Sequence, residues 1–264
     1  MSAVPIWFPA LFAGFFGAAV GSFLNVCIYR WPADESVVRP ASRCPGCGHA
    51  LAWYDNIPIL GWISLRGACR YCGAGISLQY PLIELATAVL WVASVFAFGF
   101  SLEALRAAIF LSILLGIAMT DAREMVIPDQ FSLGGMAIGI LFAAVPGGFP
   151  LTTALIGATF GYVGLWIVKF VAEKALGKPA LGIGDIHMMA LVGAFTGWSG
   201  ALLTLMLGSF AGLIIGVPLT WARGRLAPMA TYLPLGTFLA VGGAVTYMWG
   251  ESIIAWYVRV ALGG

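Results

Sequence analysis

Apolar runs about as long as a membrane-spanning helix recur along this chain and constrain its fold more than any other feature. Of 264 residues, 61% are hydrophobic and only 9% are charged, whereas soluble domains carry roughly 25% charged residues. A helix needs about 20 apolar residues to cross the hydrocarbon core of a bilayer. The sequence therefore predicts an all-α polytopic membrane protein.

The apolar runs predict about eight transmembrane helices. Their expected bounds are 8–29, 82–100, 103–121, 130–147, 151–172, 186–198, 200–221 and 232–258. The sixth segment is short and its junction with the seventh at Gly200 is weak, so these two could form one broken unit. Since the amino terminus has neither a basic region nor a small-residue cleavage site, we expect the first segment to remain as a spanning helix.

Lysine and arginine fall mainly on one side of this map. With the amino terminus outside, all of them except Arg106 and Arg259 lie in or beside the loops of the opposite side. The positive-inside rule makes that side cytoplasmic and leaves both termini outside. The long loop 30–80 is then cytoplasmic, and the third and sixth segments meet the same face.

Two aspartates lie where a bilayer makes a carboxylate costly. Asp121 follows the apolar run 107–119, and Asp185 closes Gly182-Ile183-Gly184-Asp185 ahead of another apolar run. A carboxylate near bilayer depth costs several kcal/mol unless it is paired, hydrated or protonated, so such a residue indicates a functional site. Two carboxyls that share one proton supply both the base and the acid that peptide hydrolysis needs. We predict a catalytic pair, with Gly182 and Gly184 in the active-site loop.

The helix dipole suggests different roles for the two acids. Asp185 opens the sixth predicted span, where the positive end of the dipole favours the ionised form. Asp121 ends the third, where the negative end favours the protonated form. We therefore expect Asp185 to be the resting base and Asp121 the resting acid.

Four cysteines in the long loop form two CxxC pairs. Cys44 and Cys47 precede Cys69 and Cys72, with 21 residues between the pairs, slightly more than the usual 15–20 of a four-cysteine zinc site. The glycine after each pair, at 48 and 73, permits the positive φ of a metal-binding turn. A cytoplasmic loop keeps thiols reduced, which favours structural zinc over disulfides or unmetallated thiols. The fifth cysteine, Cys27, is most simply a small apolar residue.

The remaining polar residues allow simpler interpretations. His49 could replace a cysteine as ligand or could be a solvated loop residue, and His187 could face the Asp185 site or be an interfacial residue at a helix end. Asp129 is predicted to cap a helix, with a supporting site role as the alternative. Glu84 is expected in the first turn of the second span.

A series of short sequence motifs in this chain resembles the motifs of bacterial prepilin peptidases. In order along the chain these are Gly21-Ser22-Phe23-Leu24-Asn25-Val26, the two CxxC pairs, Trp53-Tyr54-Asp55-Asn56-Ile57-Pro58, Tyr80-Pro81-Leu82-Ile83-Glu84-Leu85, Asp121 through Asp129-Gln130, and Gly182-Ile183-Gly184-Asp185. The resemblance covers almost the whole chain. It implies a GxGD-type intramembrane aspartic protease that removes the basic leader of type IV prepilins and type II secretion pseudopilins. Asp121 and Asp185 would be its catalytic pair, and Cys44, Cys47, Cys69 and Cys72 its zinc ligands.

The resemblance also implies a second activity and a location. Members of this family commonly methylate the newly exposed amino terminus with S-adenosylmethionine, although residues 30–80 hold no isolated glycine-rich cofactor fingerprint. Many relatives carry lysine where this chain has His187, which leaves the electrostatics of Asp185 open. We expect a first helix at 1–29, a zinc module at 30–80 and a peptidase domain at 81–264. The expected setting is the bacterial inner membrane, with lipid but no nucleic acid as a partner.

Two other classes of protein compete with a peptidase. A transporter could use Asp121 and Asp185 to relay protons or bind a cation, but a proton path would more naturally hold an acid in mid-span. A membrane assembly factor could recruit partners through the zinc module, but this leaves the aspartates unexplained. The small residues Gly157, Gly161 and Gly164 could contact a substrate helix or pack against the chain's own helices, and we favour packing.

Overall fold

The computed structural model describes residues 5–216, 218 and 234–263. All of its long regular elements are helices, and the β structure of the described residues consists of two isolated bridges. The all-α membrane architecture predicted from the sequence is confirmed. The chain forms two compact units that divide within one helix, between Ser112 and Ile113.

Eight helices follow one another along the described residues. They are α1 Trp7–Arg30, α2 Leu60–Ser64, α3 Gln79–Phe98, α4 Leu102–Glu124, α5 Asp129–Ala143, α6 Leu151–Leu176, α7 Ile183–Ala211 and α8 Leu235–Leu262. Short 3-10 turns at Trp31–Ala33 and Trp53–Asn56 lie within the loop 30–80 that carries the cysteines, called the cysteine loop below, and a π-helical turn at Gly212–Gly216 extends α7.

Six of these helices are long and apolar enough to cross a membrane by their total length, namely α1, α3, α4, α6, α7 and α8. For α7 this length includes both arms of a helix that is broken at Gly197. The apolar helix α5 is shorter, with 15 residues. The eight predicted segments fall on these seven helices, because the sixth and seventh both lie on α7. Residues 217, 219–221 and 232–233 of the predicted segments, together with Arg223 and Arg225, are outside the described residues.

The chain turns back on itself within α7, at Gly197. This glycine has φ 72° and ψ −178°, which no helix contains. A Cβ atom built on Gly243 would lie 3.6 Å from methyl carbons of both Val192 and Thr204, although residues twelve apart in a straight helix are separated by about 18 Å. The helical arms 183–196 and 198–211 therefore lie side by side and run in opposite directions. The junction that was expected at Gly200 occurs three residues earlier, at Gly197.

Glycines bring α1 and α3 into backbone contact in the first unit. A Cβ atom on Gly17 would lie 2.9 Å from Cα of Ala88, and one on Gly21 would lie 2.7 Å from Cα of Glu84. Glycines four residues apart occupy one helix face, and small residues on such a face allow helices in a membrane to approach closely.

The same device joins α6 to the first arm of α7 in the second unit. Cβ atoms on Gly157 and Gly161 would overlap the carbonyl oxygens of Gly193 and Met189. The packing interpretation is thus confirmed for these two glycines. Gly164 has no atom within 4 Å of such a Cβ, so it does not contribute to this contact.

Candidate active site and cysteine cluster

Asp121 lies near the end of α4 and is held by the start of α8. Its side chain is buried, and its Oδ2 accepts a 2.6 Å hydrogen bond from the backbone N–H of Thr237. The Thr237 hydroxyl lies 3.1 Å from the same oxygen and 3.1 Å from the carbonyl oxygen of Ala118. Thr237 is the third residue of α8, so the free N–H groups at this helix start point toward the carboxylate.

Asp185 is the third residue of α7, and Gly182 is the residue before the helix. The Asp185 carboxylate accepts a hydrogen bond from the backbone N–H of Gly182, which is one half of a capping box. A Cβ atom on Gly182 would lie 3.1 Å from Oδ2 of Asp185. The glycine at 182 therefore leaves room for a carboxylate folded back over the helix start.

The structure brings Asp121 and Asp185 close enough for their charges to interact. The loop residue Ile127 lies between the helices that carry them. A Cβ on Gly184 would be 2.9 Å from Cβ of Ile127, and one on Gly236 would be 2.6 Å from Cδ1 of Ile127 and 3.1 Å from Cγ of Asp121. The absence of side chains at 184 and 236 thus lets α7 and α8 begin against the same loop.

The helix dipole does not separate the two acids as the sequence suggested. Asp121 does lie in the last turn of α4, but the N–H and hydroxyl of Thr237 at the start of α8 stabilise negative charge there. Both carboxylates therefore face helix N-termini. The dipole argument for a protonated Asp121 is lost, and only the argument for an ionised Asp185 remains. The assignment of Asp185 as base and Asp121 as acid therefore stays a prediction.

Asp129 and His187 form a pair that the sequence did not predict. Asp129 is the first residue of α5 and lies in the first turn of that helix. Its Oδ1 lies 2.8 Å from Nδ1 of His187, whose ring stacks on Tyr162 at 6.1 Å. The predicted position of Asp129 at the helix start is confirmed, and its contact with His187 of α7 is an additional one. These contacts tie α5, α6 and α7 together beside Asp185.

The four predicted cysteine ligands form one cluster. Their sulfur atoms all lie within 4.8 Å of one another, and those of Cys44 and Cys72 are 3.7 Å apart. Tetrahedral zinc with bonds of about 2.3 Å separates its sulfurs by about 3.8 Å, whereas a disulfide bond is about 2.05 Å long. All four cysteines are free thiols. The cluster could hold a metal ion.

The two CxxC pairs adopt the same turn. In each, the glycine after the second cysteine has φ 70° and donates its N–H to the carbonyl oxygen of the first cysteine. An antiparallel bridge closes each turn, between Arg43 and Ala50 in one and between Ala68 and Gly75 in the other. Hydrogen bonds from the backbone N–H groups of Cys72 and Tyr71 lower the pKa of Cys69 to about 7, whereas hydrogen bonds with the neighbouring cysteines raise the pKa of Cys72 to about 11. The cluster therefore favours the thiolate at Cys69, and thiolate is the form that binds metal.

His49 is an exposed loop residue outside the cysteine cluster, and its ring lies 3.6 Å from that of Tyr71. The expectation of a solvated loop residue is confirmed for His49, whereas Glu84 differs from expectation. Glu84 is not in a first turn, because α3 begins two residues before Pro81. It is buried, and its Oε2 accepts a 2.6 Å hydrogen bond from the N–H of Ile59 in the cysteine loop. No local pattern reports a contact of this kind, since its partner lies in another segment.

Comparison of the sequence with known protein families matches two parts of the chain. Residues 15–98 match the Bacterial Peptidase A24 N-terminal domain, and residues 108–217 match the Type IV leader peptidase family. The first match contains the cysteine cluster, and the second contains both aspartates. No solved structure matches the chain.

Proteins named prepilin leader peptidase/N-methyltransferase resemble the chain over most of its length. One from Myxococcus xanthus is 42% identical over 230 residues, which cover 86% of this chain and 69% of that protein. One from Xanthomonas campestris pv. campestris is 36% identical, with 96% and 95% covered. One from Pseudomonas aeruginosa is 35% identical, with 93% and 92% covered. The chain belongs to the type IV leader peptidase family.

Proposed function

We propose that Asp121 and Asp185 are the catalytic pair of a membrane aspartic endopeptidase that processes prepilins. One observation carries the proposal: Asp121 and Asp185, far apart in the sequence, lie near enough for their charges to interact, and both are at helix ends and not in mid-span. Aspartic proteolysis needs such a pair, because two adjacent carboxyls share one proton. Family membership favours this activity over the transporter alternative.

The chemistry requires one ionised and one protonated carboxyl. The ionised group removes a proton from water while the water oxygen attacks the scissile carbonyl carbon, and the protonated group donates its proton to the carbonyl oxygen. Collapse of the tetrahedral intermediate breaks the C–N bond, and the departing amine takes a proton from the pair. Thr237 and Gly182 hold the two carboxyls in position through backbone N–H groups.

The name of the relatives, prepilin leader peptidase/N-methyltransferase, supports prepilins as substrates. A prepilin has a basic leader followed by an apolar helix, so its cleavage site lies at a membrane interface. We include type II secretion pseudopilins in the proposal because they share this arrangement. The end of α4 and the starts of α7 and α8 lie together, which gives the enzyme one reactive face for such a site.

We place that face and the cysteine module on the cytoplasmic side of a bacterial inner membrane. The Lys and Arg distribution supports this orientation. Membrane lipid is the expected partner of the apolar helix surfaces: α1 exposes Phe8, Phe12, Phe15 and Phe16. The proposed division is a first helix at 1–29, a zinc module at 30–80 and a peptidase domain at 81–264.

Structural zinc is the metal we propose for the cysteine cluster. Cys44, Cys47, Cys69 and Cys72 would supply four sulfur ligands, which closes a tetrahedral shell. The sulfur separations and the two equivalent turns support this fit. Because a module of this size has little core, the ion would contribute to folding and not to cleavage.

Methylation of the new amino terminus is the second proposed activity, with S-adenosylmethionine as methyl donor. The relatives' name includes N-methyltransferase. The bound donor would supply a methyl group from its sulfonium to the unprotonated α-amine of the cleaved pilin, with a thioether as the leaving group and one proton released to water.

One experiment tests both activities. The detergent-purified chain is incubated with a prepilin and isotope-labelled S-adenosylmethionine, and the products are mapped by mass spectrometry. We expect a single cut after the basic leader and one labelled methyl group on the new amino terminus. An intact prepilin would refute the peptidase, and a cut but unlabelled product would refute the methyltransferase alone.

A further inference from the structure

The first unit contains a cavity lined by residues between Ser22 and Glu84. Its volume is about 650 Å³, which is within the range of cofactor sites. Its walls come from α1, the cysteine loop and the start of α3. The two peptidase aspartates are not among its lining residues.

A buried carboxylate without a countercharge lines this cavity. Glu84 is 7% exposed and accepts hydrogen bonds from the N–H of Ile59 and the hydroxyl of Ser22. Within the described ranges no lysine, arginine or histidine forms an ion pair with it. Burial of a charge is costly unless an opposite charge accompanies it. A positively charged ligand would supply what the protein leaves out.

Two further acceptors line the cavity without a donor. Asn25 uses its amide N–H groups on the carbonyl oxygens of Gly21 and Tyr80, which leaves its buried Oδ1 without a partner. Asp55 accepts from Arg70 through Oδ1 at 2.6 Å, but its buried Oδ2 has no partner. Buried polar atoms are nearly always satisfied, so the cavity fits a ligand rich in hydrogen-bond donors.

Aromatic and basic groups complete the lining. Tyr29 and Tyr80 stack with ring centroids 5.4 Å apart and planes 13° apart, and both line the cavity. Such ring faces suit a planar base or a cation. The exposed Arg43 and the partly exposed Arg30 also line it, and either could meet a carboxylate. The cavity thus combines an acidic interior with basic groups that reach solvent.

We propose that this cavity binds the methyl donor, a nucleoside sulfonium with an amino-acid tail. The inference rests on the proposed methylation. Its cationic sulfonium and ammonium groups match Glu84, the donors on its base and ribose match Asn25 and Asp55, and its carboxylate matches Arg30 or Arg43. Glu84 and Asn25 are the residues that would bind the methyl donor.

Equilibrium binding to the purified full-length chain tests this proposal. Calorimetry with S-adenosylmethionine gives Kd for the wild type, for Glu84→Gln and for Glu35→Gln. Glu35 is the matched control, because it is an exposed carboxylate of the same unit that does not line the cavity. We expect Kd to rise about tenfold or more in Glu84→Gln, since a buried charge partner is lost, and to stay unchanged in Glu35→Gln.

Photolabelling of the wild type locates the site even if Glu84→Gln folds poorly. An azido-adenosyl analogue of the donor should label peptides within residues 22–84, and excess S-adenosylmethionine should prevent the labelling. Labelling confined to other residues, or equal Kd values for a folded Glu84→Gln and the wild type, would overturn the proposal while leaving methylation intact. A wild type that neither binds the donor nor methylates would overturn the methyltransferase itself.

Discussion

Thr237 should tune cleavage without abolishing it. The Thr237→Val substitution keeps the side-chain shape and the N–H bond to Asp121 but removes the hydroxyl 3.1 Å from Oδ2. A hydrogen bond to a charged group contributes about 1.5–3 kcal/mol. Because this hydroxyl is shared with the carbonyl oxygen of Ala118 at the same distance, we expect the low end, or about a tenfold fall in kcat for leader cleavage.

Steady-state cleavage of a purified prepilin gives this kcat. Thr237→Ser is the matched control, since it retains the hydroxyl and should cleave at nearly the wild-type rate. Methylation of an already cleaved pilin by Thr237→Val should also stay normal. Wild-type cleavage by the Val variant would mean that the hydroxyl does not act on Asp121, and an equal loss in both variants would point to packing.

Three further results are expected. Elemental analysis should find about one zinc per chain, and Cys44→Ser should lose the metal and destabilise the loop, because the ion supplies folding free energy; a metal-free wild type purified without chelator would contradict this. A cysteine probe at Ser36 should be shielded from an impermeant reagent in intact cells while one at Gly263 is labelled, and the reverse pattern would invert the topology. Gly161→Ala should lower the free energy of unfolding by about 1–3 kcal/mol, measured by thermal unfolding, because the added Cβ would overlap backbone atoms of α7. Gly164→Ala should leave stability unchanged, because its Cβ would have no neighbouring atom within 4 Å. Equal effects of the two substitutions would refute the packing argument.

Local patterns predicted the parts of the fold that depend on neighbouring residues. The apolar runs predicted the helices, and each CxxC-Gly run predicted a turn that closes through its own backbone. The reversal inside α7 was expected as a weak junction but misplaced at Gly200, because both Gly197 and Gly200 permit a break. The backbone angles of Gly197 and the contacts of both arms with Gly243 of α8 locate the turn.

Contacts between distant segments could not be predicted in the same way. Thr237 is neutral and 116 residues from Asp121, so no charge or spacing indicated it. The dipole argument for Asp121 considered only α4, the helix that carries it. The start of α8 at Thr237 adds a second dipole of the opposite sign, so that argument no longer holds. The contact between His187 and Asp129 likewise joins residues 58 apart on two helices, so no local spacing indicated it.

The central claim is that Asp121 and Asp185 act as one catalytic unit. The most direct test is the rate of leader cleavage by Asp121→Asn, Asp185→Asn and the double variant, each inserted in the membrane at the wild-type level. We predict that each single substitution abolishes cleavage and that the double variant is no worse, because residues that act together lose activity non-additively. Cleavage at the wild-type rate by either single variant would contradict the claim.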